Sequence, residues 1–84
     1  MAYRIEFEKR AFKELSKLPK QIQKKIFDAI KSLANDPRPS GCKKLKDRPG
    51  YRYRVGNYRV IYLVEDENVR VLVIKVGHRK DVYM

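Results

Sequence analysis

Tyr51-Arg52-Tyr53-Arg54-Val55-Gly56-Asn57-Tyr58-Arg59-Val60-Ile61-Tyr62-Leu63-Val64 is the stretch that decides the fold. Two alternating segments meet at Gly56-Asn57, and Gly followed by Asn between such segments is a type I′ or II′ hairpin signal. A two-residue loop sets the register: Val55 faces Tyr58, Arg54 faces Arg59, and Tyr53 faces Val60. Tyr51, Tyr53, Val55, Tyr58, Val60, Tyr62 and Val64 then share one face, which is a core pattern. The other face carries Arg54 against Arg59, with Arg52 two residues back. Like charges directly opposite on a sheet are destabilising, so the pattern calls for an anion as the missing partner.

The composition agrees. The chain has 84 residues, 43% of them hydrophobic, and a formal net charge of +11. That is one small domain over 1–84 with enough apolar content to fold, and its basicity points to a polyanionic partner such as nucleic acid. Arg38, Lys43, Lys44, Lys46, Arg48, Arg52, Arg54 and Arg59 stand against Asp47 alone between residues 38 and 59. A charge run is often only a solvated face, but this one leads straight into the paired arginines. The single Cys42 excludes an internal disulfide, and no Cys/His cluster has metal-ligand spacing, so neither metal nor small-molecule cofactor is expected. No signal-peptide apolar region opens the chain, and no apolar run approaches the roughly 20 residues of a membrane span. A cytoplasmic protein with no membrane partner is expected.

Upstream, Tyr3, Ile5 and Phe7 alternate with charged residues, a short half-buried strand. The period then becomes helical. Phe12, Leu15 and Leu18 form one stripe, Pro19 ends it, and Ile22, Ile26, Ala29, Ile30 and Leu33 form a second. The two helices make an antiparallel hairpin whose stripes need a sheet to cover. Residues 35–41 read as a loop and Lys43 to Arg48 as a basic link in which Leu45 anchors to the core. After the arginine-bearing hairpin, Glu65-Asp66-Glu67-Asn68 reads as a loop and Val69 to Val76 as a central strand. Pairing Val64 with Val69 places Asn57 near Val76 and delivers Gly77-His78-Arg79 to the arginine end. The fold expected is α+β: an N-terminal strand, a helical hairpin, then a three-stranded antiparallel meander (β-α-α-β-β-β), with the helices on one face.

This order resembles the RelE family of the RelE/ParE toxin superfamily. The residues that carry the resemblance are Met1-Ala2-Tyr3, Lys44-Leu45, Tyr51 to Val55, Gly56 to Tyr62, and Val76-Gly77-His78-Arg79-Lys80-Asp81-Val82-Tyr83. The resemblance implies a toxin of a type II toxin–antitoxin module that cuts mRNA in the ribosomal A site. Its implied partners are mRNA, the ribosome and an acidic RelB-like antitoxin. That antitoxin would cover Ile61, Leu63, Leu72 and Ile74, which share the arginine-bearing face. The family's basic residues before the hairpin match Arg52 and Arg54, its next arginine matches Arg59, its arginine after the last strand matches Arg79, and its C-terminal tyrosine matches Tyr83. The best-known members have lysine where this chain has Arg52, Arg54 and His78.

The chemistry implied is attack of an RNA 2′-hydroxyl on the adjacent phosphate. Arginine binds phosphate through a planar two-pronged donor and stays charged, so Arg54, Arg59 and Arg79 suit a phosphate clamp. Arginine is not usefully deprotonated. Proton transfer therefore falls to Tyr83, His78, water or the ribosome. Tyr83 can serve as a base, stack on a nucleobase or merely anchor the tail; His78 can serve as general acid or be structural. Lys43, Lys44, Lys46 and Arg48 are the expected RNA-binding cations. Two other readings remain: a ParE-like inhibitor of DNA gyrase, and a non-catalytic RNA-binding module.

Overall fold

Alternation of polar and apolar residues yields seven elements in the computed structural model, which describes residues 2–78. They are β1 (Arg4–Phe7), α1 (Lys9–Ser16), α2 (Lys20–Ser32), β2 (Cys42–Lys44), β3 (Tyr51–Val55), β4 (Tyr58–Glu65) and β5 (Arg70–His78). The strands form one sheet in the order β1-β5-β4-β3-β2. β1 runs parallel to β5, and the other neighbours are antiparallel. This is the α+β arrangement expected, with one strand added. Part of the basic link pairs with β3 as the short edge strand β2, so four antiparallel strands follow the helices rather than three. The N-terminal strand closes the other edge.

Both helices pack on one face. Ala11, Leu15, Ile26, Ile30 and Leu33 meet Val60, Tyr62, Val71, Val73 and Val76 in one buried core, flanked by Tyr51, Tyr53, Val55, Tyr58 and Val64. The aromatic face of the hairpin is thus the core face. The first helix turns differently from the expected stripe: Ala11 and Leu15 are buried, whereas Phe12 is 59% exposed and meets Phe7 edge-on. At the joint between the helices, the Gln23 side-chain amide donates to the carbonyls of Ser16 and Leu18, satisfying groups that a helix end leaves without partners.

The hairpin register is as the turn dictates: Val55 pairs with Tyr58, Arg54 with Arg59, and Tyr53 with Val60. Gly56 has φ 60° and Asn57 is not positive, the pattern of a type II′ turn. The β4–β5 register differs from expectation. Val64 pairs with Val71, not Val69, and Tyr58 pairs with His78. The connecting loop is one residue later than expected, and Val69 enters it at φ 50°. Between Ile61 and Tyr62 the ladder slips, because Ile61 pairs with Lys75 and Tyr62 with Val73, leaving Ile74 unmatched. An extra residue of this kind is a β-bulge. It lets Val71, Val73 and Val76 all reach the core despite their uneven spacing.

Away from the arginines, ion pairs tie the chain together. Arg70 binds Glu65 at 2.6 Å and Glu6 at 2.8 Å. Arg38 binds Asp66 at 2.8 Å and donates to the Tyr51 hydroxyl, while the Tyr3 hydroxyl donates to Asp66. Arg38 is therefore committed to the fold and leaves the basic run that the sequence assigned it to. Tyr62 donates to the Pro37 carbonyl at 2.8 Å, and burial pushes its phenol well above the usual range.

The Asp66 carboxyl is held below its ordinary value of 3.8, chiefly by the Arg38 hydrogen bond and then by Tyr3; Arg70 does the same for Glu65 and Glu6. A depressed folded-state pKa contributes stability that is present above the unfolded pKa and lost as pH falls through the folded one. Thermal melts should therefore show stability falling as pH drops below about 4. Asp66→Asn should melt lower than the wild type at pH 7, with the difference narrowing on acidification.

Candidate nucleic-acid interface

Side chains alternate across a strand, and directly paired residues share a face. The register therefore writes out the sheet face turned away from the helices. One row runs Lys43–Arg52–Ile61–Lys75 across β2, β3, β4 and β5. The next row, toward the Gly56-Asn57 turn, runs Arg54–Arg59–Gly77. Farther from the turn lie Leu63 beside Leu72, and then Glu65 beside Arg70. Cations gather at one end of this face, apolar residues hold its middle, and compensated ion pairs close the far end.

Within the cationic end, exposure is graded. Arg54 is exposed and Arg52 half-buried, while Arg59 is 7% exposed. A charge withdrawn from water is screened less, so a phosphate reaching Arg59 would feel it more strongly than one on the rim. Gly77, opposite Arg59, contributes no side chain there. Ile61, between Arg52 and Lys75, is 4% exposed.

Beside these rows lies an open groove of about 530 Å³ lined by Lys43, Lys44, Leu45, Lys46, Asp47, Arg48 and Arg52. It gathers all four cations expected to bind RNA, and Arg52 joins it to the arginine rows. Its shape depends on the loop from Leu45 to Gly50, closed by the Leu45 amide donating to the Gly50 carbonyl at 3.0 Å. Gly50 takes φ 125°, and a Cβ there would stand 3.0 Å from the Tyr62 carbonyl oxygen and 3.3 Å from Leu45 Cδ1.

The expected site residues are only partly brought together. Arg52, Arg54 and Arg59 converge, and Lys43 extends their row. His78 does not join them on that face: it pairs with Tyr58, and the two rings meet edge-on at 5.5 Å on the helix side. Alternation places Arg59 on the opposite side, so the imidazole and the arginine cluster are separated by the sheet. Arg79 and Tyr83 lie outside the described residues. Lys75 is the residue that sequence reasoning missed. Its charge interrupts the apolar run of β5, but only the bulge at Ile74 puts it in the arginine-bearing row.

A sequence model of the ParE toxins of type II toxin–antitoxin systems (parDE) matches residues 5–83. The toxin RelG of Mycobacterium tuberculosis is 32% identical over 85 residues, covering 99% of this chain and 98% of RelG. The chain belongs to the RelE family of type II toxins. Another relative, the mRNA interferase toxin RelE of Escherichia coli K12, is 35% identical over 83 residues, 95% of this chain and 86% of that protein. The toxin–antitoxin complex RelBE2 of Mycobacterium tuberculosis contains a chain that superposes with a TM-score of 0.85 at 28% identity, covering 94% of this chain and 93% of that one. This RelE-family toxin thus has mRNA interferases among its homologues and shares its fold with a toxin crystallised with its antitoxin. No described helix is long and apolar enough to cross a membrane.

Gly50→Ala tests how the groove is built. The added methyl meets backbone at a positive φ, so the variant should lose about 1–3 kcal/mol of stability. The measurement is denaturant unfolding. A variant as stable as the wild type would show that the loop does not need this conformation.

Proposed function

We propose that this toxin is an endoribonuclease that cuts mRNA in the ribosomal A site by attack of a 2′-hydroxyl on the adjacent phosphate. The observation that carries the reading is the Arg54–Arg59 cross-strand pair, set on one face beside a five-cation groove. Two guanidiniums held opposite each other by a backbone register are preorganised donors for the charge that develops on a pentavalent phosphorus. Removing one such donor typically costs ~3–4 kcal/mol of transition-state stabilisation. Arg54, Arg59 and Arg52 take the phosphate, and the homology with an mRNA interferase toxin supports the substrate class. Arg79 and Tyr83, matched to the family by resemblance, complete the proposed site from the C-terminal segment. Lys43, Lys44, Lys46 and Arg48 hold the RNA backbone, messenger or ribosomal. No metal or cofactor enters this scheme, and the toxin works in the cytoplasm.

The second proposed partner is an acidic antitoxin, as in the related RelBE2 complex. Leu63 and Leu72, side by side next to the cationic rows, offer an apolar strip bordered by positive charge. An acidic amphipathic segment would satisfy both. One alternative has its own support. The family model that matches is that of the ParE toxins, which fits a gyrase inhibitor on the same fold.

Primer extension on mRNA after induction separates the two readings: cuts in frame with codons support the nuclease, and gyrase trapped on DNA without cuts supports the alternative. With purified toxin and programmed ribosomes, Arg54→Ala and Arg59→Ala should each cut ~100-fold or more slowly while remaining folded; full activity in both would discard the assignment. Binding of ribosome-free RNA should weaken linearly with log salt concentration. The Lys43→Gln, Lys46→Gln double variant should reduce that slope by about 1–2. An unchanged slope would remove the groove from the interface.

A further inference from the structure

Past the bulge, β5 loses one of its two neighbours. β1 pairs with it only as far as Phe7 opposite Val73, and the Glu8 amide closes that pairing by donating to the Val73 carbonyl at 2.9 Å. The chain then turns into α1 at Lys9. From Lys75 to His78, β4 is the only strand paired with β5 among the described residues. A strand end held on one side opens more easily than one held on both.

One side chain stands in for the missing strand. Glu14, in the second half of α1, accepts the Val76 amide on Oε1 at 3.0 Å. Helical spacing carries it there: Ala11 and Leu15 of the same helix are buried in the core, and Glu14 lies between them along the chain with its side chain 28% exposed. Its other oxygen meets Arg10 Nε at 3.4 Å. A hydrogen bond from an amide to a carboxylate is charge-assisted and stronger than one between neutral groups. Beside it lies an open groove of about 400 Å³, with Leu18, Tyr58 and His78 in its walls, so packing does not brace the strand edge there.

The bond falls next to the proposed site. Backbone groups alternate direction along a strand. Val76 turns its amide to the free edge, so Gly77 turns its own to β4, where its partner is Arg59. Val76 also stands three residues before Arg79. Holding Val76 therefore holds the point from which the chain passes Arg59 and goes on to Arg79. We infer that Glu14 is a positioning residue of the nuclease site: its carboxylate fixes the end of β5 so that Arg79 reaches the phosphate beside Arg59. The inference rests on the nuclease reading above. Glu14 belongs to the helix layer, so in this role it touches no RNA and moves no proton.

The experiment is single-turnover cutting of mRNA on programmed ribosomes by the wild type, Glu14→Leu and Glu14→Gln, each also in an Arg79→Ala background. Glutamine keeps an oxygen that can accept the Val76 amide; leucine fills the space without one. At saturating toxin Glu14→Leu should cut ~10-fold or more slowly, since small displacements of catalytic groups are costly. The toxin concentration giving half the maximal rate should not change. Glu14→Gln should cut at close to the wild-type rate. In the Arg79→Ala background the Glu14→Leu loss should disappear, because a residue that acts through another has nothing left to act on. Amide exchange, followed by NMR on the free toxin, should be faster at Val76 in Glu14→Leu than in the wild type or Glu14→Gln. A Glu14→Leu variant that melts lower yet cuts at the wild-type rate would reduce Glu14 to a structural role. Equal losses in Glu14→Leu and Glu14→Gln, an undiminished loss in the Arg79→Ala background, or unchanged exchange at Val76 would each overturn the inference while leaving the nuclease reading intact. Failure of the wild type to cut would overturn both.

Discussion

Arg54 faces Arg59 because Gly56 and Asn57 allow no other register. A two-residue loop between alternating strands leaves no slack, and a slip of one residue would turn the tyrosines outward and the arginines into the core. The apolar face therefore enforces the cationic one. Val60 and Tyr62 are fully buried on the helix side, and their burial holds Arg59 and Ile61 on the other. The register thus sets the two guanidiniums opposite each other, an arrangement that the core imposes and that like charge opposes.

The rest of the molecule distributes charge around that constraint. Glu6, Glu65 and Asp66 are drawn to the end of the sheet far from the turn, where each already has an arginine. What remains near the turn is largely uncompensated: Arg52, Arg54, Lys43 and the cations of the Lys44–Arg48 loop, with Asp47 the one carboxylate lining their groove. The helices form the backing layer. Glu14 of α1 even accepts the Val76 amide at 3.0 Å, satisfying β5 where β1 has run out. β1 pairs with β5 only as far as Val73, so the open edge of the sheet lies beside Lys75.

Much of this was legible in the residues. The hairpin, its register, the aromatic core face, the helical pair and the basic loop all follow from local patterns with a single period. What escaped had competing patterns. β2 is three residues, Cys42-Lys43-Lys44, with no apolar alternation of its own, and it is a strand only because β3 offers a free edge. The β5 run Val71-Leu72-Val73-Ile74-Lys75-Val76 is apolar on both faces apart from Lys75, so its order alone does not place the bulge. Its register moved by two residues at the loop and by one more at the bulge, and that odd total turned His78 toward Tyr58 and brought Lys75 into the arginine row. Arg38 read as one more cation of the basic run, whereas its partner Asp66 is 28 positions away in the chain. Long-range pairing, not propensity, decides each of these.

The central claim is that Arg54, set opposite Arg59 by the hairpin register, serves an anionic ligand and not the fold. It is tested most directly by melting the wild type and Arg54→Gln side by side across a range of salt. Arg54 is exposed and faces Arg59, so its neutral replacement should raise Tm at low ionic strength, with the gain shrinking as salt screens the repulsion. Added RNA should then stabilise the wild type more than the variant. A lower Tm for Arg54→Gln at every salt concentration, with RNA stabilising both proteins equally, would show that Arg54 serves the fold and not an anion.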